Sequence, residues 1–431
     1  MPLSPRSPIP VPTHETVAAK DKLVAAITDS MAHPPEHIGA AVSGGSDSLA
    51  LLLGLKTAFC NRGVKISVAT VNHGLRSEAA AEADAVARFA AELGFEHSVL
   101  TWDHVRRIGN LQGQARDARF NLLSHWAQQR KIPIVALGHT ADDQAETVLM
   151  RMRREAGVNG LAGIPERRTV GGVEFRRPLL SLRRHELREV LRAEGIGWID
   201  DPSNENDQFE RVRTRKALAV LESIGVSPTV FASVAENLTQ ARKALEWYSF
   251  LAAREVLDVQ FGAVVICRRA FRVLPVEIAH RLLAASIQWL TGGEYVPRRK
   301  AMVDAREVVK LGGGHTVAGC RILIKDEQAW LFRELNALRN CAVPLGQPWD
   351  ARWLVYGGVA DNYQVRALAD EGLRDCTNWR DLGCPREVLH ATPAIWDEDQ
   401  LIAAPVAGFE NGWNAALTRS EEALYTSFLT H

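Results

Sequence analysis

Ala40-Ala41-Val42-Ser43-Gly44-Gly45-Ser46-Asp47-Ser48-Leu49-Ala50-Leu51 is an apolar run that breaks into six small polar residues and resumes as an apolar helix. The glycines at 44 and 45 let the backbone turn tightly and come close to a ligand, since neither carries a Cβ. Peptide N–H groups left unpaired by the turn and the first helical turn then point at one spot, which the helix dipole makes favourable for an anion. Ser43, Ser46 and Ser48 add hydroxyl donors. Asp47 would repel phosphate directly, so a carboxylate there makes sense if it holds Mg²⁺ that bridges to phosphate oxygens. Ser43, Gly44, Gly45, Ser46, Asp47 and Ser48 therefore read as a phosphate loop, with a plain Ser/Gly turn at a helix start as the alternative. The stretch has no Gly-Lys-Ser/Thr, which disfavours chemistry that cleaves off a γ-phosphate.

Outward from this loop, strands and helices alternate. Apolar runs at 37–42, 65–71, 96–102 and 132–137 are short, bounded by Gly, Asn or Pro, and separated by helical segments at 47–60, 78–93, 114–129 and 142–154. That alternation predicts an α/β fold with a doubly wound parallel sheet and crossover helices. Ligands of such sheets sit off the carboxyl ends of the strands, so the residues just after each strand are the functional candidates. After the second strand come His73, Gly74 and Arg76, where Arg76 can reach phosphate or nucleobase, or simply decorate a surface loop. After the third come Arg116 and Arg119, three apart and so on one helical face, suited to clamping a phosphate or carboxylate or else merely solvated. After the fourth come His139, Asp142, Asp143 and Glu146. Three carboxylates in one turn exceed what capping a helix requires; they suit Mg²⁺, for which Asp47 and Asp142 are the candidates, or an ammonium group.

Length and composition bound the rest. A chain of 431 residues should hold two or three domains. Lys plus Arg equals Asp plus Glu, at 51 each, so any nucleic-acid site must be a local patch. Candidate patches are the arginines between Arg151 and Arg192, including Arg183 and Arg184, and a second group with Arg211 and Arg215; a solvated helix face reads equally well. Six cysteines without a Cys-x-x-Cys argue for a reducing compartment and against a disulfide scaffold or zinc knuckle. No apolar stretch reaches the roughly 20 residues of a membrane span, and no apolar leader follows Met1. The expectation is a cytoplasmic protein, off the membrane, with no feature calling for an obligate protein partner.

Ser43 to Ser48, His73-Gly74-Leu75-Arg76, Gln112-Gly113-x-Ala115-Arg116-x-x-Arg119-Phe120, His139-x-x-Asp142-Asp143-Gln144-Ala145-Glu146-Thr147, Gly160-Leu161-Ala162-Gly163-Ile164, Arg177-Pro178-Leu179-Leu180 and Asp201-Pro202-Ser203-Asn204 follow one another over about residues 37–216. The loop resembles the pyrophosphate loop of ATP pyrophosphatases, and the ordered set resembles the tRNA(Ile)-lysidine synthetases. The resemblance implies an adenine nucleotide α-hydrolase-like sheet, ATP and Mg²⁺, and a tRNA(Ile) with a CAU anticodon. It implies that the carbonyl oxygen of the wobble cytidine is adenylylated and that free L-lysine displaces AMP, giving lysidine. By similarity, Asp143 and Glu146 hold the lysine, Arg119 lies near its carboxylate or the nucleotide, and His139 stands close to the reacting centre. After Arg153 the family often shows Arg-Gly-Ser-Gly, where this chain has Arg154-Glu155-Ala156-Gly157.

The expected domains are a disordered 1–18, a catalytic 19–216, a mainly helical 217–336 and a strand-rich 337–431. Longer relatives carry C-terminal domains that grip the acceptor arm, but Asp397, Glu398 and Asp399 stand where those members show basic residues. Two rival readings stay open. A tRNA-thiolating pyrophosphatase usually has a Lys in the loop and paired cysteines; here Ser46 occupies that position and no Cys-x-x-Cys exists. A dead nucleotide fold that only binds tRNA would tolerate loss of Asp47 or Glu146, and both are present.

Overall fold

The computed structural model describes residues 14–72, 74, 79–102, 111–200, 210–293, 297–358 and 362–429. It divides at Arg242/Lys243 into two compact units. His73, Arg76 and the Asp201-Pro202-Ser203-Asn204 turn lie outside the described residues.

The first unit runs α1 (His14–Ser30), β1 (His37–Ala41), α2 (Ser46–Phe59), β2 (Lys65–Asn72), α3 (Ala79–Glu92), β3 (Glu96–Thr101), α4 (Leu111–Gln129), β4 (Ile134–Leu137), α5 (Ala141–Met152), α6 (Val158–Leu161), β5 (Arg167–Val170), β6 (Val173–Arg176), α7 (Arg184–Ala193) and α8 (Glu210–Ser223). The sheet order is β3-β2-β1-β4-β6-β5. Neighbours pair in parallel except the edge hairpin β5/β6. The chain steps outward from β1 to β3, then returns to lay β4 on the other side of β1. The crevice between the carboxyl ends of β1 and β4 is thus the switch point at which open α/β sheets bind ligands. Cores cover both faces, as a parallel sheet requires: Leu23, Ile27, Leu51, Leu55 and Leu187 on one, Leu123, Trp126, Val135 and Phe175 on the other.

The four sequence-read strands and their helices stand within a few residues of expectation. Helix α1 begins at His14, inside the stretch expected to be disordered, because Ala19, Leu23, Ile27 and Met31 form a buried stripe at helical spacing. The β5/β6 hairpin was not anticipated; β5 is largely exposed and rich in arginine, so it reads as a basic patch. The boundary expected at 216/217 falls inside α8, whose Leu218 packs with Ala145 and Val148 of α5, so α8 belongs to the first unit.

The unit boundary lies within α9 (Pro228–Val256). Beyond it, the sheet β7-β8-β11-β10-β9 is made of β7 (Leu257–Gln260), β8 (Ala263–Cys267), β9 (Gly314–Val317), β10 (Cys320–Lys325) and β11 (Gln328–Arg333). One face packs on helical residues such as Leu282, Ile287 and Val309. On the other, Val265, Trp330 and Phe332 share a core with Trp349, Ile395 and Trp396. The expected division at 336/337 therefore separates two pieces joined through one apolar core. Among the described residues, no single helix is long and apolar enough to cross a membrane.

Candidate active site

The loop after β1 closes on itself. Ser48 donates its hydroxyl to the Gly45 carbonyl at 2.9 Å and accepts the Ser43 amide at 3.2 Å. Gly44 sits at φ +89°, where a side chain would be strained, and an added Cβ would stand 2.9 Å from the Ile199 side chain. The Ile199 amide donates to the Gly44 carbonyl at 3.0 Å, so the chain after α7 straps across the loop. No side chain caps α2. Its first amides remain available to an anion, as the glycine-rich sequence requires.

The β4–α5 turn approaches this loop as closely as backbone allows. A Cβ at Gly138 would meet the Asp47 carbonyl oxygen at 2.9 Å. Asp143 takes the third position of α5, where one carboxylate oxygen accepts the Thr140 amide at 2.8 Å and the Thr140 hydroxyl at 3.0 Å. One guanidinium then gathers the acids: Arg184 Nε donates to Asp47 at 2.8 Å and Nη2 to Asp143 at 3.2 Å, and Nη1 stands 3.8 Å from Glu146. Glu146, one helical turn deeper and 2% exposed, accepts Arg215 Nε at 2.6 Å, with Arg211 Nε 4.0 Å away. Asp142 is engaged differently, accepting the Arg184 amide at 2.7 Å at the start of α7.

Burial pushes the Asp47 and Glu146 carboxyls up, against the opposing pull of Arg184 and Arg215 respectively. Burial also acts on Asp143, but Arg184, His139 and the Thr140 bonds outweigh it and hold its carboxyl below the usual range. Arg184 is desolvated as well, yet Asp47 and Asp143 hold its guanidinium above its ordinary value. Burial drives His139 strongly down despite Asp143, with Arg177, Arg119 and Arg116 adding to the effect, so the imidazole is neutral at pH 7. Its Nδ1 is buried with no hydrogen-bond partner.

The remaining predicted residues fall into two groups. Arg183 is tied to Glu222 at 2.9 Å and lies 3.5 Å from Asp142. Arg184 and Arg215 are taken up by the acids above, with side chains 22% and 32% exposed, whereas that of Arg211 is 58% exposed. Arg116 and Arg119 of α4 act electrostatically on His139, adding to the lowering of its imidazole. Sequence reasoning placed Arg188 only in the basic run between Arg151 and Arg192; it donates to Ser46 at 3.3 Å and to Asp200 at 2.7 Å, and lies over Trp198 at 5.3 Å. Gly138 was missed; the one signal was a glycine directly after a buried strand, where close backbone approach is expected. Among the described residues no group of three or more His, Cys, Asp or Glu forms a ready metal cluster.

The sheet, its switch-point loop and the facing acids define a nucleotide-binding α/β protein, and the family described as a PP-loop domain matches residues 16–222. A tRNA(Ile)-lysidine synthase from Ruegeria pomeroyi is 46% identical over 96% of this chain and 99% of its own length, and one from Wolbachia pipientis wMel is 31% identical over 90% and 92%. The chain belongs to the tRNA(Ile)-lysidine synthase family. Among solved structures, the U34-tRNA thiolase NcsA from Methanococcus maripaludis matches at a TM-score of 0.47 and 19% identity, over 52% of this chain and 80% of that one.

Proposed function

We propose that this enzyme uses ATP to join free L-lysine to the wobble cytidine of a tRNA(Ile) with a CAU anticodon, forming lysidine, so that the tRNA reads AUA in place of AUG. The observation that carries the reading is the placement of an anion-binding loop and a buried acid cluster on facing sides of one switch point, bridged by Arg184. Cytosine's carbonyl carbon is a poor electrophile. In the first step its oxygen bonds to the α-phosphorus of ATP and the bond to pyrophosphate breaks, which installs AMP as a leaving group. The amides and hydroxyls of the Ser43–Ser48 loop stabilise charge on the departing pyrophosphate. In the second step the ε-amine of lysine bonds to that carbon and AMP leaves.

The amine must first lose a proton. Glu146 is the better acceptor, because burial raises its carboxyl while Arg184 and the Thr140 hydrogen bonds hold Asp143 ionised. Asp143 then serves as the fixed anion beside the ammonium. Arg188 touches Ser46 and positions the loop. Mg²⁺, where bound, would neutralise phosphate charge. Asp47, beside the loop, is the carboxylate that would hold it, although the described residues form no ready cluster of three acids. Of the two carboxylates suggested by the sequence, Asp47 keeps that role, while Asp142 is occupied in holding the Arg184 amide.

The test is mass spectrometry of a CAU-anticodon tRNA(Ile) transcript incubated with the protein, ATP, Mg²⁺ and lysine. A gain of one lysine less one water supports the reading. Exchange of oxygen for sulfur when a sulfur donor is supplied would favour thiolation, and an unchanged mass would leave a tRNA binder.

A further inference from the structure

Thr70 is an anomaly in β2. It is 6% exposed, and the side chains on its face of the strand, Ile66 and Val68, belong to the apolar core that α2 and α3 complete. Valine would fill the same volume with no hydroxyl to satisfy, and a buried hydroxyl is costly unless it is hydrogen-bonded. Thr70 Oγ1 has two partners: it donates to the Val42 carbonyl at 2.8 Å and meets His97 Nε2 of β3 at 2.8 Å. A carbonyl can only accept, so the single hydroxyl proton goes to Val42, and the His97 ring must carry its own proton on Nε2. Burial lowers the His97 imidazole, which favours that neutral donor form.

The place of this bond gives it a purpose. Backbone pairing between β1 and β2 runs on to the Val42 amide, which donates to the Ala69 carbonyl at 2.9 Å, and the next residue is Ser43, where the phosphate loop begins. The Val42 carbonyl and the Ser43 amide are the two ends of one planar peptide unit. Thr70 holds the first end, and Ser48 Oγ accepts the second at 3.2 Å. Ser48 lies on α2 and Thr70 on β2, so the peptide at the entry to the loop is fastened on both sides to elements already fixed by the core. Orientation matters here because a loop that binds an anion must present amides to it and turn carbonyls away.

We infer that Thr70 is a positioning residue for the ATP site: it sets the Val42–Ser43 peptide, and through it the phosphate loop, while His97 orients its hydroxyl. The inference rests on the reading of Ser43 to Ser48 as the nucleotide loop and adds to it a residue from outside that loop. Thr70 acts through Val42 and Ser48, not by contact with nucleotide. Removing its hydroxyl takes the donor from the Val42 carbonyl and lets the peptide plane rotate, so that part of the binding energy goes into ordering the loop. A plain packing role is the alternative, and the hydroxyl and methyl of Thr70 can be removed separately.

The experiment uses the full chain as wild type, Thr70→Val, Thr70→Ser and Thr70→Ala. It reads melting temperature together with the KM for ATP and for L-lysine, from pyrophosphate release and lysine incorporation on a CAU-anticodon tRNA(Ile) transcript. Thr70→Val keeps the volume and deletes the hydroxyl; its ATP KM should rise about tenfold, the scale of depriving a buried acceptor of its donor, while its lysine KM stays put. Thr70→Ser keeps the hydroxyl and deletes a core methyl, so it should melt lower yet hold the wild-type ATP KM. Thr70→Ala loses both, and its ATP KM should exceed that of Thr70→Ser by the same factor, which keeps the test decisive where Thr70→Val fails to fold. A folded Thr70→Val with the wild-type ATP KM overturns the inference. So do equal rises in the variants with and without the hydroxyl, which would assign Thr70 to packing, and so does an ATP KM that rises only together with the lysine KM. No ATP-dependent pyrophosphate release by the wild type would instead overturn the nucleotide reading of the loop, and the positioning role with it.

Discussion

Asp143 answers to three neighbours at once: it holds the Thr140 amide and hydroxyl, pairs with Arg184, and faces His139. Because its folded pKa lies below the unfolded value, it contributes stability that is present above the ordinary carboxylate range and lost as pH falls through its folded pKa. Asp143→Asn should therefore destabilise the protein by about 3 to 5 kcal/mol at pH 7, the scale for breaking a buried pair. The gap from wild type should narrow as pH is lowered from 7 toward 3; thermal melts across that range check it, and a constant gap would refute the electrostatic origin. Glu146 is raised and not lowered, so its ionisation costs stability at neutral pH and suits a proton acceptor. Glu146→Gln should leave pyrophosphate release nearly intact but raise the lysine requirement steeply, since truncating one partner of a buried charge pair costs about 2 to 5 kcal/mol. Pyrophosphate release and lysine incorporation measured over a lysine titration separate the steps, and a normal lysine dependence in a folded variant would remove Glu146 from the substrate site.

At the scale of elements, the site depends on how tightly α2 and the β4–α5 turn abut. Gly138→Ala would place a methyl group 2.9 Å from the Asp47 carbonyl, a backbone atom that cannot swing away. Overpacking of this kind costs about 1 to 3 kcal/mol and here moves the phosphate loop itself. ATP affinity should fall at least tenfold by calorimetric titration, whereas Gly157→Ala, with open space around its Cβ, should bind ATP as wild type does. The α5–α6 connection explains the one motif departure. Glu155 adopts φ +55°, left-handed backbone, at the position where the resembled family carries glycine. The loop keeps its shape because Arg151 donates to the Gly160 and Gly163 carbonyls, both at 2.8 Å, and the Gln144 side chain exchanges hydrogen bonds with Ile164. In the second unit, the acidic turn at Asp397–Asp399 is met from within the chain, as Arg366 donates to the Glu398 carbonyl at 3.0 Å and lies 3.6 Å from Asp399.

For the whole molecule, zero net charge means that no long-range field draws in a polyanion, so tRNA affinity is a sum of local contacts. The arginines read from the sequence as equivalent are not so in the fold. Arg211, 58% exposed with its Nε 4.0 Å from Glu146, can still meet a phosphate, while Arg184 is spent on Asp47 and Asp143. Arg211→Gln should lower the slope of log affinity against log salt by about one. Arg184→Gln should leave that slope alone and lower the melting temperature instead. Filter binding over a salt series decides between them, and equal slope changes would return Arg184 to the tRNA surface.

The sequence by itself determined the α/β class, the phosphate loop and the first four strands with their helices, because these depend on short-range signals. Glycines that permit a turn, apolar runs with period two or none, and helical stripes are legible one segment at a time. It also carried the family, through motifs that keep their order along the chain. What only the tertiary structure decided is which charges meet. Asp47, Asp143, Arg184 and Arg215 come from four different segments, and whether an arginine faces a phosphate or a carboxylate is set by what folding brings within about 4 Å of it. The same holds for Thr70, a hydroxyl inside an apolar run whose acceptor, the Val42 carbonyl, comes within reach only once β1 and β2 have paired.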